Sequence, residues 1–161
     1  MNAILSADLN FGIGANNDLL IKIPDDLKRF KAITKNKTVI MGHSTLLSLP
    51  NQKPLSHRKN IVFSRQNGLE IEGAVVVNSI EALFEHDVKN AFVIGGAEIY
   101  KLLLDYCEKI YVTKIFKSFS ADKFIIDLDN TGNFKIKEKS EIFNFNGIEY
   151  QYILYEKQRI S

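Results

Sequence analysis

The sequence predicts an α/β fold: a single domain with a central, mostly parallel sheet, helices on both faces and an antiparallel C-terminal hairpin. Short apolar runs alternate with segments of helical period along most of the chain, as expected when strands of a parallel sheet are joined by helical crossovers. Towards the C-terminus the pattern changes to strand-like alternation on either side of Asn146-Gly147, a two-residue hairpin signal.

The strands are expected at 3–7, 38–41, 61–63, 74–77, 91–94 and 110–115, where apolar runs are short and bounded by polar or turn residues. Helices are expected at 24–34, 44–49, 79–84 and 97–106. The hairpin takes 134–145 and 148–155. Residues 9–23 hold Gly12, Gly14, Asn16 and Asn17 with no sustained period, which predicts a long loop of the kind that often carries function. No repeat or Pro/Gly/Ser-rich linker divides the chain, so residues 1–161 are read as one domain.

With 45% apolar and 25% charged residues the chain has the composition of a folded globular protein, and its net charge of +2 is too small to mark a nucleic-acid surface. The basic residues are scattered and carry no aromatic-basic strand motif, which argues against a nucleic-acid module. Cys107 is the only cysteine, so no intrachain disulfide is expected and a reducing compartment, the cytoplasm, fits. No signal peptide or membrane span is read, and no metal site is called for.

Asp26 stands out. Pro24 sets the phase of the first helix, because a proline at the first helical position loses no hydrogen bond. At about 100° per residue, Ile23, Leu27, Phe30, Ile33 and Thr34 share an inner face that includes Asp26, while Asp25, Lys28 and Arg29 point away. Both aspartates also complement the helix dipole, which is sufficient reason for Asp25. For Asp26 an apolar setting would disfavour the charge unless a donor satisfies it, and a protonatable heterocycle with an amidine-like edge is one such donor.

Phosphate chemistry is suggested at several strand ends. In Val93-Ile94-Gly95-Gly96-Ala97-Glu98 a strand passes through two glycines into a helix, where backbone can approach a ligand and unpaired N–H groups face an anion, unless the glycines only make a tight turn. Met41-Gly42-His43-Ser44-Thr45 repeats the arrangement, and Ser64-Arg65 adds a hydroxyl and a guanidinium. Together they favour a dinucleotide, although neither G-x-G-x-x-G nor a Walker A sequence is present. Arg58, in the basic loop 54–60, suits bidentate capture of a carboxylate, or is simply solvated.

Taken in order, these stretches resemble the dihydrofolate reductase family over nearly the whole chain: Ile13-Gly14, Ile23-Pro24-Asp25-Asp26-Leu27 with Phe30, Val39-Ile40-Met41-Gly42, Pro54-Leu55 with Arg58-Lys59-Asn60-Ile61, Val93 to Tyr100, and Tyr111-Val112-Thr113. The resemblance implies NADPH-dependent reduction of 7,8-dihydrofolate, with hydride delivered to C6 and a proton to N5. It implies that Asp26, assisted by Thr113, binds the pterin's amino group and ring nitrogen, with a gated water supplying the proton. Leu19 and Ile21 would border the reacting centre. Ile4, Leu5, Leu27, Phe30, Leu49, Leu55, Ile94 and Tyr100 would wall the substrate pocket, with Arg58 on the glutamate tail. Ser6, Ile13, Gly14, Gly42, His43, Ser44, Thr45, Ser64, Arg65, Gly95, Gly96, Ala97, Glu98 and Ile99 would meet the cofactor, Arg65 favouring NADPH over NADH. The loop 13–20 would close over the nicotinamide, braced by 121–126. Antifolate inhibitors are implied ligands, and a monomer the implied state.

The chain departs from the family at three places: Ile21 stands where a Trp that orders water is usual, His43 replaces a common Arg, and 121–126 lacks a proline after its aromatic residue. Two alternatives are a riboflavin-pathway pyrimidine reductase and a catalytically weak folate- or nucleotide-binding relative.

Overall fold

The structure is a computed structural model that describes residues 1–159; the last two residues of the one-domain reading, 160 and 161, lie outside the described residues. The strands are β1 (Asn2–Ala7), β2 (Gly12–Gly14), β3 (Thr38–Gly42), β4 (Lys59–Phe63), β5 (Ala74–Val77), β6 (Phe92–Gly95), β7 (Lys109–Ile115), β8 (Lys123–Phe124), β9 (Phe134–Phe145) and β10 (Ile148–Lys157). The helices are α1 (Pro24–Thr34), α2 (His43–Ser48), α3 (Ile80–Leu83) and α4 (Ala97–Leu103).

Eight strands form the main sheet in the order β5-β4-β3-β6-β1-β7-β10-β9. From β5 to β7 all neighbours are parallel, and β10 and β9 complete the sheet antiparallel. This is the expected α/β architecture. Asn146 and Gly147 turn the hairpin with φ of 51° and 85°, as a two-residue turn matched to strand twist requires. The expected helix 97–106 ends as α4 at Leu103 and tightens into a 3₁₀ turn, Leu104–Tyr106.

Central strands are buried on both faces. Along β3, Val39 and Met41 pack with Leu46 of α2 on one side, while Ile40 joins Leu83 of α3 and Leu103 of α4 on the other. A third apolar cluster, around Ile23, Ile115 and Tyr150, lies beneath the start of α1 and the hairpin. Helices thus cover both faces.

The segment 9–23, expected to be a plain loop, contains a second, two-stranded sheet. Gly12–Gly14 pairs antiparallel with Lys123–Phe124, and Ala15 and Asp18 exchange backbone hydrogen bonds across Asn16 and Asn17, both at positive φ. Strands of three and two residues are too short to show a period, which is why the sequence reads as loop.

Candidate active site

The site lies where β1, β3, β6 and β7 present their C-terminal halves, the end of an open α/β sheet where ligands bind. Its centre is Asp26. Its carboxylate accepts a hydrogen bond from Thr113 Oγ1 at 2.6 Å and another from Ser6 Oγ at 2.9 Å. Those two hydroxyls are the donors that the apolar setting calls for, and they come from strands far apart in sequence.

The phase of α1 agrees in part with expectation. Ile23 and Thr34 are buried, and Asp26, Phe30 and Ile33 are half-buried. Two residues differ. Leu27 is 42% exposed, uncovered between the buried Ile23 and Thr34 at the two ends of α1. Arg29, expected to point away, lays its guanidinium over the Tyr152 ring, 3.9 Å from the centroid.

The proposed pocket walls divide between the two faces of the sheet. Leu49, Leu55 and Ile94 are half-buried and pack on the cluster of Val39, Met41, Leu46 and Val62. Ile4 is buried beside Ser6 on β1. Leu5 corrects the expectation: alternation turns it, with Ala3 and Ala7, into the core on the opposite face from Ser6 and Asp26. Tyr100 corrects it too, since its ring is buried in that same core and its hydroxyl donates to the Ile4 carbonyl at 2.7 Å. Burial pushes the Tyr100 phenol well above its ordinary range, so it stays a neutral donor.

Arg58 is held in place by its neighbours. Its Nη1 donates to Thr34 Oγ1 at 3.0 Å and its Nε to the Ser56 carbonyl at 2.8 Å, while Thr34 donates to the Phe30 carbonyl at 2.8 Å. Partial burial lowers its guanidinium from the ordinary value, but an arginine remains charged. Asn60, buried at the start of β4, grips the same loop by donating to the carbonyls of Leu55 and Arg58 and accepting from Leu55 N–H. The sequence predicts no such role for Thr34 and Asn60, the one closing the inner face of α1 and the other bordering the apolar run of β4.

The glycine junctions lie close together. A Cβ added to Gly42 would meet Ile99 Cγ1 at 3.0 Å, and one on either Gly95 or Gly96 would meet Thr45 Oγ1 at 3.3 Å. Gly95 has φ of +136°, a conformation that side chains resist. Gly42, Thr45, Gly95, Gly96 and Ile99 therefore form one backbone-lined cradle, with Ala97 and Glu98 opening α4 and His43 and Ser44 opening α2. At its edge Arg65 pairs with Glu98 at 3.6 Å, both side chains being 95% and 86% exposed, so that the pair is easily exchanged for another anion. Ser64 Oγ accepts from Gln66 N–H at 3.1 Å.

The segment that carries Ile13, Gly14, Leu19 and Ile21 is fixed at several points. Asp122 N–H donates to the Gly14 carbonyl, and its carboxylate accepts from Asn16 N–H, both at 3.0 Å. Asp8 is fully buried at the base and accepts three backbone N–H groups, from Asn10, Gly12 and Phe119. Leu19 is 43% exposed, whereas Ile21 packs in the apolar cluster of Ile23, Ile115 and Tyr150. Asp8 is also absent from the expected site, although a charged residue closing an apolar strand just before Gly12 marks it.

A family model described as dihydrofolate reductase matches residues 1–157. The chain belongs to the dihydrofolate reductase family. It is 35% identical to the dihydrofolate reductase of Bacillus subtilis, with 98% of this chain and 95% of the relative aligned. It is 36% identical to a putative dihydrofolate reductase of Caenorhabditis elegans, with 94% of each covered. Among solved structures, dihydrofolate reductase from Enterococcus faecalis complexed with NADP(H) and RAB-propyl superposes with a TM-score of 0.86 at 26% identity, covering 98% of this chain and 96% of that one. Membership of the dihydrofolate reductase family favours the reductase over both alternatives.

Proposed function

We propose that the Asp26 site binds the pterin of 7,8-dihydrofolate and that the glycine cradle binds NADPH, the family's reaction being reduction to 5,6,7,8-tetrahydrofolate. The observation that carries this is a carboxylate held by two sheet hydroxyls beside a glycine-lined junction, in a chain that the family model matches from 1 to 157. Asp26 accepts from the pterin's amino group and ring nitrogen and holds the ring's orientation. Asp26 has an orienting and electrostatic role, and the proton for N5 comes by way of water. Thr113 orients Asp26, and Ile4, Leu27, Phe30, Leu49, Leu55 and Ile94 border the substrate. Arg58, fixed by Thr34 and Ser56, meets the glutamate carboxylate.

The cradle suits a dinucleotide because Gly42, Gly95 and Gly96 bring bare backbone together at two strand ends, with Thr45 and Ile99 packed close against it and Arg65 exposed at the edge. Gly42, Gly95, Gly96, Ala97 and Ile99 line the cofactor; His43, Ser44, Thr45, Ser64 and Arg65 serve its phosphates. NADPH, when bound, supplies the hydride. Arg65 favours the extra phosphate of NADPH by exchanging Glu98 for it. The segment with Ile13, Gly14, Leu19 and Ile21 excludes bulk water above the ring. Antifolates that present two N–H groups to a carboxylate compete at Asp26.

Among the described residues no helix is long and apolar enough to cross a membrane. The proposed setting is a monomer in the cytoplasm, acting on small molecules, not on nucleic acid or membrane. The first test is spectrophotometric: purified protein, NADPH and dihydrofolate, with loss of nicotinamide absorbance followed against NADH and no-substrate controls. Rapid, dihydrofolate-dependent loss with NADPH is expected. Binding of both ligands without turnover would favour the weak relative.

A further inference from the structure

β1 and β7 are parallel neighbours with Ser6 level with Thr113. In-register residues on adjacent strands project to the same face, about 4.8 Å apart. α1 lays the Asp26 carboxylate across that pair, so that Thr113 Oγ1 donates to Oδ1 and Ser6 Oγ to Oδ2. One hydroxyl would leave the carboxylate free to rotate about its Cβ–Cγ bond. Two donors, one on each oxygen and both from a rigid sheet, fix its plane. A carboxylate offers about four acceptor directions, so the directions left over remain for a ligand with two coplanar N–H groups.

We infer that Ser6 is a positioning residue for Asp26, the second half of a two-hydroxyl clamp that sets the carboxylate plane to receive the aminopyrimidine edge of the substrate. This departs from the cofactor role that the family resemblance implies for Ser6, and it rests on Asp26 being the pterin carboxylate. Ser6 is half-buried, and its hydroxyl donates to Asp26. The clamp is a property of the strand register, not of α1, since both hydroxyls belong to the sheet.

The test is calorimetric titration of dihydrofolate and, separately, of NADPH into the wild type, Ser6→Ala, Asp26→Asn and the double variant. Losing a hydrogen bond to a charged group at a half-buried position should weaken dihydrofolate binding by Ser6→Ala roughly tenfold. NADPH affinity should change by less than about twofold, and on the Asp26→Asn background the Ser6→Ala change should cost dihydrofolate less than about twofold, because there is no anion left to hold. In steady-state kinetics Ser6→Ala should raise KM for dihydrofolate more than it lowers kcat. Ser6→Cys, of nearly the same size but a poor donor, should match Ser6→Ala and stands in for it should the alanine variant not fold. Weakened NADPH with unchanged dihydrofolate would overturn the inference, as would equal losses on both backgrounds. A wild type that binds NADPH but not dihydrofolate would overturn the reading of Asp26 itself, and Ser6 with it.

Discussion

Replacing Asp26 by Asn exchanges one acceptor oxygen for an amide that competes with the Ser6 or Thr113 hydroxyl and cannot accept a second N–H from the pterin. The fold and NADPH affinity should survive, while turnover near neutral pH should fall on the order of a hundredfold, the effect of losing one preorganised electrostatic partner. A rate within a few-fold of wild type would remove Asp26 from the mechanism. Arg58 allows an independent check, because its guanidinium is held by Thr34 and Ser56 apart from the carboxylate. Arg58→Ala should raise KM for dihydrofolate about 10- to 100-fold, the range for a charge-assisted hydrogen bond, and leave KM for a pterin lacking the glutamate nearly unchanged. Equal effects on the two substrates would show that Arg58 does not hold the tail.

At the scale of elements, the β2–β8 ribbon depends on Asp8, whose buried carboxylate joins Asn10 and Gly12 on one side to Phe119 on the other. Asp8→Asn turns an NH₂ towards one of those N–H groups and should cost about 2 kcal/mol, read as a lower urea midpoint with faster amide exchange at Phe119. Unchanged protection there would show that the ribbon stands without it. The ribbon is not readable in the sequence, since three paired residues carry no period. What was readable depended on a local rule: Pro24 set the phase of α1 and brought Asp26 inward, and Asn146-Gly147 placed the hairpin turn. Leu5 and Tyr100 were misplaced for a physical reason. On β1 only Asn2 and Ser6 mark the face that Ile4 shares, too short a signal to separate Ile4 from Leu5 before the register is known, and Tyr100 lies on the face of α4 that packs into the core. The partnership of Ser6 and Thr113 is likewise a fact of register, beyond the reach of any short sequence window.

Taken whole, the molecule keeps several acidic protons more tightly than an unfolded chain would. Burial pushes the Cys107 thiol up to about 12 from an ordinary value of 9.0, and burial, with Asp26 and Tyr150 nearby, pushes Tyr152 up to about 12. Tyr155 is raised as well, by burial and by its bond to Asp129. Groups whose folded value is raised contribute stability that is full below the unfolded value and lost as pH climbs through the folded one. The urea midpoint should therefore hold steady near neutrality and decline progressively from about pH 9 towards 12. A midpoint level across that window would contradict the burial of these groups. The position of β1 bears on something else, the order in which the molecule is made. It precedes every other strand of the main sheet along the chain, yet it lies between β6 and β7, where Asn2 pairs with Phe92 and Lys109. A growing chain carries β1 unpartnered through much of its synthesis, and Asp26 waits for the hydroxyl of Thr113 until that strand too has emerged. Substrate or an antifolate can thus stabilise the finished molecule by mass action, but it has no site to bind on a half-made one.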